Sequence, residues 1–238
     1  ESIRAGQRLV DEVANSDVTV LIEGESGTGK EIVARSIHAK SPRSKHPFIS
    51  VNCAAFSEHL LESELFGHAK GAFTGASVNK PGRFMMADQG TLFLDEIGDL
   101  SPKGQGDLLR VLEDGGYRMV GGTELIRANV RVVAATNKKL KESVAAGKFR
   151  EDLYYRLQIV PIVMPPLRER SEDIPLLVES FLDHFTVKHK RKRKTFSMEA
   201  MQLCQRFPWP GNVRQLRNTV ERLVVTTPSS IIGVMDLP

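Results

Sequence analysis

The stretch "GESGTGKE", residues 24–31, fits the spacing GxxxxGK. Gly24, Gly27 and Gly29 let backbone N–H groups turn toward the oxygens of a phosphate at a helix N-terminus, with Glu25, Ser26 and Thr28 between them. Lys30 adds a point charge suited to β- and γ-phosphates. The bland reading is an ordinary glycine turn before a helix. The glycine order is GxxGxG, not the GxGxxG of a dinucleotide fold. After the lysine the usual pattern has Ser or Thr to hold Mg²⁺; here it is Glu31. That carboxylate can serve a metal directly, serve it through water, or point away. A second stretch, "TLFLDE" at 91–96, ends an apolar run in two carboxylates. Asp95 suits metal coordination and Glu96 suits polarising an attacking water, which separates metal holder from base. Without a phosphate loop such a pair would read as a solvated turn.

Further groups can sense the phosphate. Thr136 and Asn137 end "VRVVAATN" and are candidates for the γ-phosphate or the lytic water, against the reading of a strand-end turn. Asn52 ends "FISVN" and is placed to hydrogen-bond Glu96 until the base is needed, or is a turn residue. In "PWPGNVRQL" Asn212 reads as an N-cap with Gln215 as capping-box partner. Arg214 then lies in the first helical turn, where a cation opposes the dipole unless an anion is near; we expect it to contact phosphate rather than lie as a surface arginine. "FREDLYYRL" carries Arg150 and Arg156. Six residues apart on one helix, they face different directions and can share a phosphate only if the helix starts after Arg150. Either they are arginine fingers toward a neighbouring subunit, or they pair with nearby carboxylates.

One motif has no acid–base chemistry. "GAFTGA" holds Gly71, Ala72, Phe73, Thr74, Gly75 and Ala76. Its ring either folds back into a core or is held out for a partner.

These groups need rigid elements behind them. Five short apolar segments, "VTVLIEG", "FISVN", "TLFLDE", "VRVVAATN" and "IVPIVM", alternate with helical stretches. That alternation predicts an α/β fold with a parallel sheet. A helix is expected over "SIRAGQRLVDEVANS" through Ile3, Leu9, Val10 and Val13, and another over "KEIVARSIHAK" packing through Ile32, Val33 and Ile37. After "PPLRER" only helix signals follow. The expected division is therefore an α/β domain over 1–166 and a helical lid over 167–238.

Bulk properties set the remaining bounds. The chain has 238 residues, 41% hydrophobic and 26% charged, which is ordinary globular composition. No apolar run approaches a membrane span, no signal peptide opens the chain, and residue 1 is Glu. We read it as a fragment of a longer cytoplasmic protein. Cys53 and Cys204 read as reduced core residues, and the histidines form no ligand cluster, so no structural metal is expected. The formal charge is +4, and removing the six Lys and Arg of "KHKRKRK", 188–194, would turn it negative. Basicity is thus one local run, read as a solvated loop in preference to a nucleic-acid contact.

Together, "GESGTGKE", "ESELFGHAKGAFTGA", "GTLFLDEIGDL", "FREDLYYRL", "PPLRER" and "WPGNVRQLRN" resemble the central ATPase domain of bacterial enhancer-binding proteins, the AAA+ activators of sigma-54 RNA polymerase. The resemblance covers nearly all of the chain. It implies an AAA+ P-loop NTPase fold, ATP and Mg²⁺ as cofactors, and a homo-oligomeric ring, a hexamer with a heptamer as the alternative. It implies hydrolysis between subunits, with metal and base roles for Asp95 and Glu96 and a glutamate switch at Asn52. Thr136 and Asn137 would be the first sensor, Arg214 the second, and Arg150 and Arg156 the finger segment. Glu31 is usual in the family, whereas Gln89 stands where Gly is more frequent. GAFTGA would be a loop tip that meets the sigma-54 holoenzyme, led by Phe73 and Thr74. DNA would be read mainly by a C-terminal domain outside this fragment. Two rivals share the ATP residues: another AAA+ motor, and a nucleotide-gated module that never hydrolyses.

Overall fold

The computed structural model describes residues 10–237. Residues 10–14 are helical, with Val10 and Val13 buried; Ile3 and Leu9 lie outside the described residues. Contacts group the chain into two units. The first holds residues up to 23 together with Lys30–Val163, and the second holds Gly24–Gly29 together with residues from Met164 onward.

The first unit is built on five parallel strands. They are β1 (Val20–Glu23), β2 (Phe48–Asn52), β3 (Thr91–Asp95), β4 (Arg131–Thr136) and β5 (Val160–Val163). Their order in the sheet is β2–β3–β4–β1–β5. Leu92, Phe93 and Leu94 of β3 and Val132 to Ala135 of β4 are buried on both faces, as central parallel strands must be when helices cover the sheet. The register aligns Asn52 with Asp95, and Glu23 with Thr136. Candidate groups therefore collect at the carboxyl edge, where parallel sheets place ligands.

Helices return the chain between strands: α1 (Lys30–Ala39), α2 (Glu58–Phe66), α3 (Pro102–Asp114), α4 (Leu140–Ala145) and α5 (Glu151–Leu157). In α3, Ser101 accepts from the Gly104 N–H at 3.1 Å and Pro102 opens the first turn, both standard start signals. In α1 the buried residues are Lys30, Ala34, Ile37 and His38. Ile32 is exposed, contrary to its expected packing role, because at 100° per residue it falls away from the stripe through 30, 34 and 37. At the start of β4, Arg131 is fully buried and donates to the carbonyls of Val13 and Ala14 at 2.7 and 2.9 Å. It thereby ties the end of the helix at 10–14 to the sheet. Gln89 adopts φ 62°, the left-handed region that glycine tolerates best.

Among its described residues the second unit carries three α-helices, α6 (Ile174–Lys188), α7 (Met198–Arg206) and α8 (Asn212–Thr226). Their core joins Ile174, Val178, Leu182 and Phe185 of α6 to Leu216, Val220 and Leu223 of α8 and to Trp209. Part of the basic run is engaged within this unit, while Lys190, Arg191 and Lys192 are exposed. Lys188 and His189 meet Glu221, and Arg193 meets Glu179 and Asp183. Lys194 is buried and donates to the carbonyls of Thr227 and Ser229 at the end of α8.

Candidate active site

At the carboxyl edge of the first unit, Lys30 opens α1 and is buried. Asp95 closes β3, half-buried, and its carboxyl is raised above the ordinary range. The largest cause is burial, then the Glu96 charge; Lys30 and the Glu96 N–H pull the other way, and Glu31 adds to the rise. Burial is thus the main cost of ionising this carboxyl, a cost that a bound cation would offset. Glu31 itself lies on the exposed side of α1, where Arg35 donates to it at 2.7 Å.

Glu96 has φ 54° and ψ 48°, a left-handed conformation in a residue other than glycine. That turn points its side chain across the strand ends, where Oε2 accepts the Asn137 N–H at 3.0 Å. Asp99 and the Gly98 carbonyl, in the next turn, are held by the Lys138 ammonium at 2.6 and 3.2 Å. Thr136 is fully buried, and its hydroxyl accepts the Lys138 N–H at 3.0 Å. Asn52 uses its side-chain oxygen to cap the turn at Cys53–Ala55, accepting the Ala54 N–H at 2.9 Å. The bond that holds Glu96 here comes from Asn137 rather than Asn52. Cys53 follows; burial and then the nearby Asp95, Asp99 and Glu96 push its thiol up to about 12, so it is inert.

Arg150 is the N-cap position of α5, so the helix does begin after it. Its guanidinium is bidentate on Asp152 at 3.0 and 2.7 Å, and its N–H donates to the Gln105 side chain. Arg156, in the last turn of the same helix, donates to the Leu112 carbonyl at 2.7 and 3.2 Å. The two guanidinium groups therefore hold different partners at opposite ends of α5.

GAFTGA leaves a two-residue ribbon in which Gly67–His68 pairs antiparallel with Lys80–Pro81. Gly71 donates to the Ala76 carbonyl at 2.8 Å and closes the loop; Gly71 and Gly75 have φ 81° and 106°. Phe73 is 42% exposed, and its ring packs edge-on against His68 with centroids 4.9 Å apart. Thr74 is exposed and Ala76 is buried. Two sets of contacts position this loop. His68 is buried and its Nδ1 meets the Ser63 hydroxyl of α2 at 2.8 Å. Val120 bonds Gly67 and Ala69 through its backbone, and Gly121 sits so close to Ala72 that a Cβ would meet the alanine methyl at 2.6 Å.

In the second unit the glycine loop folds back on itself, with the Thr28 hydroxyl donating to the Glu25 carbonyl at 2.8 Å. Residues of the helical segment hold it. Arg214 donates from Nη1 to the Ser26 hydroxyl at 3.0 Å. Arg168 is bidentate on Glu25 at 2.7 and 3.0 Å, which with Asn212 holds that carboxyl below the ordinary range. Arg170 is buried and donates to the Thr28 carbonyl at 2.8 Å. Gly27 lies so close to the Gly211 carbonyl that a Cβ there would sit 2.4 Å away. Asn212 is not the cap: Gly211 holds that position, and Asn212, with φ 50°, turns its amide onto the glycine loop. The sequence marked Arg214 as a phosphate contact, whereas Arg168 and Arg170 entered only as part of "PPLRER" and Asn212 only as a cap.

Residues 1–163 match the model described as the sigma-54 interaction domain, and residues 168–238 match an AAA+ ATPase lid domain. The transcriptional regulatory protein ZraR of Salmonella typhimurium is 53% identical over 237 residues, covering 98% of this chain and 54% of ZraR. The Nif-specific regulatory protein of Herbaspirillum seropedicae is 57% identical over 213 residues, covering 90% of this chain and 39% of that protein. This chain thus spans about half, or less, of the length of these relatives. The crystal structure of NtrX from Brucella abortus in complex with ADP superposes over the full chain with a TM-score of 0.92 at 38% identity, covering 53% of NtrX. A complex of NtrX with ATP gives the same score. No helix among the described residues is long and apolar enough to cross a membrane. By its motifs, its parallel sheet and helical segment, and these matches, the chain belongs to the AAA+ domains of sigma-54-dependent transcriptional activators.

Proposed function

We propose that this chain hydrolyses MgATP in a ring of identical subunits and uses the energy to drive the GAFTGA loop against sigma-54 RNA polymerase, activating transcription. The observation that carries the reading is the acid pair. Asp95 sits half-buried at the end of β3, and Glu96 beside it is aimed across the strand ends and held by the Asn137 N–H at 3.0 Å. ATP-bound and ADP-bound NtrX support the choice of nucleotide.

The roles follow from the chemistry. Backbone N–H groups of Gly24–Gly29 and the Lys30 ammonium take the phosphates. Asp95 fits a Mg²⁺ site, because that ion binds through one or two carboxylates and completes its shell with phosphate oxygens and water. Glu31 would serve it only after leaving Arg35. Bound there, the ion supplies charge neutralisation on the phosphate oxygens. Glu96 accepts the proton of the attacking water, which requires release from Asn137. Asn52, in register with Asp95, is the switch partner for Glu96. Thr136 and Asn137 sense the γ-phosphate from the sheet, and Arg214 from the lid. Arg150 or Arg156 reaches the neighbouring subunit's nucleotide. A finger of this kind is typically worth about 10³–10⁵ in rate, so assembly becomes the natural control point.

The output is Gly71 to Ala76, with Phe73 and Thr74 at the front. An exposed ring offers contact area at low entropy cost. The segment from Asn52 through α2 joins the switch to this loop, and Ser63 and His68 carry the connection up to Phe73. The expected residence is the cytoplasm, with DNA bound mainly through a further domain. The deciding experiment measures phosphate release from MgATP against protein concentration, with promoter opening assayed for Thr74→Ala. Turnover per subunit should rise with concentration, and Thr74→Ala should keep turnover while losing promoter opening. Turnover absent under all assembling conditions, or promoter opening that survives the substitution, overturns the reading.

A further inference from the structure

Asn212 is fully buried, and every polar atom of its side chain is in use. Its Oδ1 accepts the Leu167 N–H at 2.8 Å. Its Nδ2 donates to the Glu25 carboxylate at 3.1 Å and to the Ser26 carbonyl at 3.0 Å. Its own N–H donates to the Trp209 carbonyl at 2.7 Å. The residue holds φ 50°, a conformation that costs most side chains energy and that asparagine tolerates better than most. Strain of this kind persists only where surrounding contacts over-determine it. Here the strain aims one amide at two consecutive residues of the glycine loop. Arg168 grips the same Glu25 from the other side. Gly211, the residue before, is the one whose carbonyl demands a glycine at position 27.

We propose that Asn212 is a positioning residue for the phosphate-binding loop, setting its shape through Glu25 and Ser26 and thereby the affinity for ATP rather than the rate of cleavage. The proposal rests on the nucleotide reading above. Asn212 need not touch ATP. It fixes the peptide planes whose N–H groups would, and a loop left to sample other shapes spends binding free energy on ordering. Arg214, two residues on, donates from its backbone to the Gly27 carbonyl at 3.3 Å, so the same helix start holds both the loop and the sensing cation.

The test uses the full chain with Asn212→Gly, Asn212→Asp, Glu25→Gln and the Asn212→Asp/Glu25→Gln pair, with ATP binding by calorimetry and KM and kcat by phosphate release. Glycine accepts φ 50° without strain, so Asn212→Gly removes the side-chain hydrogen bonds, keeps the backbone bond to Trp209 and leaves the backbone at ease. Losing a hydrogen bond to a charged group and one to a carbonyl should weaken ATP binding and raise KM about tenfold or more. kcat at saturating ATP should stay within about twofold. Asn212→Asp keeps the acceptor for Leu167 but sets a carboxylate against Glu25, so it should lose affinity too and regain part of it when Glu25 becomes Gln. Wild-type affinity in both Asn212→Gly and Asn212→Asp, or a loss confined to kcat, overturns the proposal. If the unaltered chain binds no ATP, the nucleotide reading itself falls, and the two failures are distinct.

Discussion

The Asn137 backbone N–H donates to Glu96 Oε2 at 3.0 Å, joining the end of β4 to the residue after β3. The donor belongs to the main chain, so it survives any non-proline substitution at 137. Glu96→Gln, by contrast, leaves a side chain that cannot take a proton from water. Hydrolysis should fall about 10²–10⁴-fold while ATP binding persists. Asn137→Ala should cost less than Glu96→Gln in the same phosphate-release assay. Equal losses would place the chemistry in the Asn137 side chain instead.

Asp95 should trade stability for function. Its raised carboxyl, caused chiefly by burial and then by Glu96, means that the native state holds a proton to higher pH than the unfolded chain does. Stability therefore falls as pH rises from about 3.8 through the native value, and the penalty is complete above it. Asp95→Asn should raise the Tm at pH 7 by about 1–3 °C while abolishing turnover. The gain should shrink as the pH is lowered toward 4. A lower Tm for Asp95→Asn at pH 7 contradicts this account.

Gln89 stands at φ 62° with its side chain exposed. A glycine would lose no packing and would remove a left-handed penalty of about 1–2 kcal/mol, offset partly by its greater unfolded-state entropy. Gln89→Gly should therefore stabilise the chain by about 0.5–1 kcal/mol. The urea midpoint, measured at unchanged slope, checks it; an unchanged or lower midpoint argues against the strain.

Gly121 braces the loop that carries Phe73. A methyl at 121 would lie 2.6 Å from the Ala72 Cβ, at φ 73°. Overpacking of this kind costs about 1–3 kcal/mol and is relieved here by moving an exposed loop. Gly121→Ala should leave ATP turnover within about twofold and reduce promoter opening about tenfold. Unimpaired promoter opening would remove the brace from the mechanism.

Much of the fold was legible because its signals are local. Five apolar runs spaced by helical stretches read directly as a parallel sheet, and all five strands form where expected. "GESGTGKE" and "TLFLDE" were readable for the same reason: phosphate and metal chemistry need particular residue types a few positions apart, and such spacing survives in one dimension. The family, too, was legible from contiguous motifs.

What the chain alone could not determine was which way individual side chains face and what they meet far along the sequence. Ile32 reads as apolar and lies exposed, because the helix stripe is set by where the sheet sits. Asn212 reads as a cap, yet a left-handed backbone turns it onto residues nearly two hundred positions away. Asn52 reads either as a partner of Glu96 or as a turn residue; here its oxygen caps a turn while the Asn137 N–H meets the carboxylate. Composition and spacing determined which chemistry is available. Tertiary packing decided who holds whom, because a hydrogen bond is won by whichever donor the folded backbone brings within 3 Å, and that contest is not written in neighbouring letters.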